Sequence, residues 1–173
     1  MVTSTGRSDF LHAAKYGLFV HWTADSRPAG GGPPAPFADA VNAFDVTRFR
    51  DQVLDAGAGY VIFTIAHGRQ FFPFPSPALD AVLPGRTSRR DLCHDLWDAL
   101  DPHGVRLLFY YPNIATSDDP EWTLASGYRG TWDADEPFYA LQRRLVAEAS
   151  ARYGRKVSGW WVDNNATHWR RPV

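Results

Sequence analysis

Two apolar runs limit what this chain can fold into, YVIFTIA at residues 60–66 and VRLLFYY at residues 105–111. Both are rich in β-branched and aromatic residues, and neither alternates apolar with polar positions along its length. A strand with one face in water alternates. A strand that does not is covered on both faces, which in a chain that also holds amphipathic helices means a parallel sheet between helical layers. Two further runs fit the same role. KYGLFVHW, residues 15–22, ends in His21 and Trp22, and VSGWWVDNN, residues 157–165, runs straight into Asp163.

The segments between these runs supply the helices. Asp45 caps a helix over residues 46–56, with Val46, Phe49, Val53 and Leu54 on one face. Ser88 and Asp91 resemble a capping box that opens a helix reaching about residue 103, in which Leu92, Leu96 and Leu100 recur at i, i+4 and i+8. A third helix covers residues 136–153, with Leu141, Leu145 and Ala149 as its apolar stripe. Residues 23–42, with a Gly/Pro centre, and residues 71–86, with four prolines, read as long loops holding no regular element. Loops of this length commonly shape a site. A polar loop with Asp118, Asp119 and Glu121 follows the third strand.

The expected fold is therefore α/β, with parallel (β/α) barrel-type units: about four strands and three helices, resembling half of a TIM barrel, or a small open doubly wound sheet. Residues 1–173 read as a single domain of that kind. No G-x-G-x-x-G follows the first strand and no Walker sequence occurs, which argues against dinucleotide and phosphate-loop chemistry.

In such folds, functional groups gather at the carboxyl ends of the strands. Here those ends carry His21 and Trp22, then His67, then Tyr111 and Asn113, then Trp161 and Asp163. Strand alternation puts Trp161 and Asp163 on one face, and Trp160 and Val162 on the other. From the strand alone, Asp163 reads equally as a catalytic carboxylate or as a cap on the following segment. Aromatic residues make up 14% of the chain, with 7 Trp, which suits either a large core or a sugar site whose rings stack on apolar C–H faces.

A net charge of −1, with arginines interspersed among acids, gives no case for nucleic acid or an anionic membrane as partner. The single cysteine, Cys93, falls among apolar helical positions and reads as core. The N-terminus has no apolar leader and no run approaches a membrane span, so the expected localisation is cytoplasmic. No metal and no cofactor are expected, since the strand-end histidines lack a carboxylate at ligand spacing.

KYGLFVHW, then FDVTRFRDQVLDAGAGYVIFTIAH, then SRRDL with HGVRLLFYY, then GWWVDN, resemble in order the first half of the catalytic barrel of glycoside hydrolase family 29, the α-L-fucosidases. The resemblance covers residues 15–165. It implies a retaining glycosidase without cofactor, acting on a fucoside-like carbohydrate, with Asp163 as the nucleophile on the anomeric carbon. It further implies that His21 and His67 bind sugar hydroxyls and that Trp22, Tyr111 and Trp161 line the same pocket. The family's second histidine is replaced by Gly68 and the acid after it by Arg69, and the Glu-Trp element of its first loop is absent. The general acid, which the family takes from the later half of the barrel, is not identifiable here; Asp118, Asp119 and Glu121 are the acids that the third loop offers. A half barrel leaves sheet edges open, so the expectation is a shortened chain, an unusual open half, or self-association of two copies. The alternative reading is a non-catalytic carbohydrate-binding or vestigial glycosidase-like domain.

Overall fold

The computed structural model describes residues 8–112, 119–129 and 136–163. Four strands, β1 (Leu18–Val20), β2 (Tyr60–Thr64), β3 (Arg106–Pro112) and β4 (Val157–Asp163), form one sheet in the order β1-β2-β3-β4. Every pairing is parallel. Three helices make the crossovers: α3 (Val46–Asp55), α5 (Leu92–Leu100) and α7 (Glu136–Tyr153). The sheet, its direction and its crossover helices are those expected from the two unalternating runs.

Each crossover helix lies against the outer face of the sheet. Val61, Phe63, Leu107, Phe109 and Tyr111 point that way and share one core with Val53, Leu92, Leu96, Leu100, Leu141 and Leu145. The opposite face holds a smaller cluster of Ile62, Leu108 and Tyr110, with Phe10 and Tyr60 packed against it. β3 is buried on both faces because helices cover one side and these residues fill the other.

Several elements differ from the sequence reading. α2 (Phe37–Asn42) forms inside the stretch read as irregular, and α4 (Pro77–Asp80) forms within the proline-rich loop. α4 starts because Ser76 accepts from the Leu79 amide and Pro77 sits at the first helical position, where its missing N–H costs nothing. α6 (Pro120–Ser126) repeats the device with Asp119 as cap and Pro120 at the first position. α1 (Asp9–Ala14) precedes β1, and its Phe10 meets Tyr60 edge-on at 6.4 Å, covering the amino end of the sheet. The chain enters β1 at Gly17, where an added Cβ would lie 2.3 Å from the Tyr60 ring. At α5, Asp91 is the cap that accepts from the His94 amide, whereas the Ser88 hydroxyl donates to the Arg90 carbonyl, so the helix begins at Leu92 and no capping box from Ser88 forms. No helix among the described residues is long and apolar enough to cross a membrane.

Candidate active site

The carboxyl ends of the four strands are drawn together by ordinary strand alternation. In β1, Leu18, Val20 and the following Trp22 turn to the helical core, so Phe19 and His21 turn to the inner face. Phe19 lies 4.6 Å from His21, 5.3 Å from Tyr110 and 5.6 Å from Trp161 between ring centroids. His21 meets His67 at 4.9 Å, edge to face, and Tyr110 at 5.2 Å. Tyr110 closes the group by donating its hydroxyl to Asp163 Oδ2 at 2.8 Å. Five side chains from the four strand ends, Phe19, His21, His67, Tyr110 and Trp161, thus gather about the Asp163 carboxylate.

The register explains the Tyr110–Asp163 contact. Tyr110 stands opposite Trp161 and Pro112 opposite Asp163. Asp163 is therefore two residues further along the same face, within reach of a long tyrosine on the diagonal. An irregularity between Leu107 and Leu108 sets this phase. Val157 pairs with Leu107 and Gly159 with Leu108, so Ser158 is extra and the later half of β4 is shifted by one face. Trp160 consequently packs edge-on against Phe109 at 5.4 Å on the helical side, and Trp161 takes the inner face with Tyr110.

Four residues singled out from sequence, His21, His67, Trp161 and Asp163, come together here. Two do not. Tyr111 is 1% exposed on the helical face, where its hydroxyl bonds Gln142 and accepts from Gln70 Nε2 at 2.9 Å. Its neighbour Tyr110 occupies the pocket instead, one residue being half the repeat of a strand. Trp22 packs among Phe37, Phe44 and Phe63, at 5.9, 5.5 and 6.1 Å, and belongs to the helical core. Asn113, Asp118, Asn164 and Asn165 lie outside the described residues. Phe19 and Tyr110 were missed, although each could have been found by stepping two residues along the strand from His21 and from Pro112.

The acids of the third loop are committed elsewhere. Asp119, 1% exposed, receives Arg86 Nη1 at 3.0 Å and Nη2 at 3.1 Å, and also accepts the Gln70 amide at 2.7 Å. Glu121 pairs with the same guanidinium. This buried network ties the loop after β2 to the start of α6.

The electrostatics of the pocket favour neutral donors around the carboxylate. Burial pushes the Tyr110 phenol well above its ordinary range, and its hydrogen bond to Asp163 and the charge there add to the shift. It stays a protonated donor at any physiological pH. Desolvation lowers the His21 pKa below its ordinary 6.5, the nearby His67 lowers it further, and Asp163 opposes both. At neutral pH His21 is uncharged, offering one N–H and one lone pair.

No family model matches the chain, and no curated protein does. Solved structures do match. One is a GH29 α-L-fucosidase from Bacteroides thetaiotaomicron trapped as a covalent intermediate: TM-score 0.62, 18% identity, 92% of this chain and 41% of that one. Another is α-L-fucosidase isoenzyme 1 from Paenibacillus thiaminolyticus, with TM-score 0.64, 19% identity and coverage of 91% and 42%. A third is the α-L-fucosidase AlfC from Lactobacillus casei in complex with α-L-fucose, with TM-score 0.61, 18% identity and coverage of 93% and 63%. The fold is that of part of a fucosidase barrel. At these identities the likeness is one of fold, and the chain spans about two fifths of the length of the first two structures.

Proposed function

We propose that this chain forms the nucleophile-bearing part of an α-L-fucosidase-like glycoside hydrolase, folded as a single (β/α) domain. The observation that carries the reading is the 2.8 Å hydrogen bond from Tyr110 to Asp163 at the end of β4, beside His21, His67 and Trp161. In this reading Asp163 attacks the anomeric carbon, the bond to the leaving oxygen breaks, and water then cleaves the glycosyl ester with retention. Tyr110 orients the carboxylate by occupying Oδ2. His21 and His67 exchange hydrogen bonds with ring hydroxyls, while Trp161 and Phe19 cover an apolar sugar face. The domain would meet a second copy along the outer edges of β1 and β4, which among the described residues have no strand partner.

Because Asp119 and Glu121 are held by Arg86, neither is offered as the general acid. That favours a second reading, a carbohydrate-binding domain without turnover. An activated substrate separates the two, since a good leaving group departs without protonation. Incubation with 2-fluoro-fucosyl fluoride, followed by peptide mass spectrometry, is expected to label the Asp163 peptide. Hydrolysis of an aryl α-L-fucoside is expected to vanish in Asp163→Ala. Saturable fucoside binding with neither label nor hydrolysis would establish the binding-domain reading instead.

A further inference from the structure

Gly68 and Arg69, which follow His67 after β2, shape one corner of the site. The Arg69 amide donates to the His67 carbonyl at 2.7 Å, an i to i+2 closure around Gly68, whose φ of +67° lies where residues with a Cβ are rarely found. His67 and Arg69 are thus the two shoulders of one tight turn. Both line the crevice between the β1 and β2 loops, together with Thr23, Ala24 and Phe71. The guanidinium lies 4.9 Å over the Phe71 ring, and its Nη1 reaches Asp25 Oδ1 at 3.5 Å.

We propose that Arg69 is a specificity-determining residue of this site, selecting sugars that carry an oxyanion substituent on the side facing the β1 and β2 loops. The inference rests on the fucosidase-like reading and names its substrate class: a sulfated or otherwise anionic fucoside. The contact with Asp25 leaves the guanidinium available. It is a single long contact between side chains 40% and 55% exposed, and such solvent-screened pairs hold their partners weakly. Arg86, over the same Phe71 ring at 4.3 Å, is by contrast buried and held by Asp119 and Glu121. A sulfate or carboxylate that can accept two parallel N–H bonds displaces the single Asp25 contact. His21 and His67 read hydroxyls, and Arg69, two residues beyond His67 on the same turn, reads charge.

The test is calorimetric binding of methyl α-L-fucopyranoside and its three mono-O-sulfates, ligands whose leaving group is too poor for turnover during the titration. At least one sulfate is expected to bind about 10-fold more tightly than the parent sugar. Arg69→Ala is expected to bring that ratio within about 2-fold and Arg69→Lys to an intermediate value, since Lys keeps the charge and loses the fork. Asp25→Asn is expected to widen the ratio by removing the competing carboxylate, a gain that a merely structural role for the pair would not produce. Binding of the parent sugar with no preference for any sulfate, or a preference that persists in Arg69→Ala, overturns the inference and leaves the fucosidase-like reading standing. No binding of any of the four sugars overturns both.

Discussion

The two adjacent tyrosines of β3 divide the work of the strand between its faces. Tyr110 touches Asp163, and Tyr111 joins Gln70 and Gln142 in the core. Their phenylalanine variants should therefore fail differently. If the chain acts as the proposed fucosidase-like hydrolase, Tyr110→Phe is expected to lower kcat/KM on an aryl fucoside by about 10- to 100-fold, the loss of one hydrogen bond to a charged group, with little change in melting. Tyr111→Phe leaves two buried glutamines short of a partner and should cost about 1–3 kcal/mol in denaturant unfolding, with the pocket intact. His21 offers a second residue-level check. Its folded pKa lies below 6.5, so the unfolded chain takes up the proton first. Its contribution to stability is full above about pH 6.5, falls as pH drops through that value, and levels off once folded His21 is protonated as well. NMR titration of the His21 ring should find the depressed value. His67→Asn should raise it by removing one lowering charge, and Asp163→Asn should depress it further. Unchanged titration in both variants would mean that the three groups are not coupled.

At the scale of elements, the site depends on loops held by a few buried polar groups. Arg86 joins Asp119 and Glu121, and Asp119 also accepts the Gln70 amide, so one ion pair fixes the loop after β2 against α6. Both members of the Arg86–Asp119 pair are almost fully buried, which makes its rupture costly. Removing one partner leaves a charge without compensation. Arg86→Ala is accordingly expected to destabilise the fold by about 3–5 kcal/mol, read as a lower denaturation midpoint at unchanged slope. None of this was legible in the chain, where Arg86 and Asp119 stand far apart in stretches read as irregular. The short helices α4 and α6 were equally hidden. Each is a single Ser-Pro or Asp-Pro start, and at four and seven residues neither is long enough to show helical periodicity.

Over the whole molecule, the inner face of the sheet is lined by rings and left partly exposed. Phe19 is 42% exposed and Trp161 51% exposed, both on strands that have a free edge among the described residues. Sedimentation velocity over a range of concentrations is expected to show a dimer; a cooperatively melting monomer at high concentration would rule out pairing along β1 and β4. The sequence by itself determined the sheet. Unalternating apolar runs separated by amphipathic helices leave a parallel α/β layer as the way to bury both strand faces, and the period of two put Trp161 and Asp163 side by side. What only the tertiary structure decided was phase. A strand buried on both faces carries no polarity signal to say which of Tyr110 and Tyr111 looks inward, and the extra residue at Ser158 shifts β4 by one face partway along its length. Which tyrosine meets the carboxylate is fixed by pairing between strands some fifty residues apart, a contact that composition and local spacing do not encode.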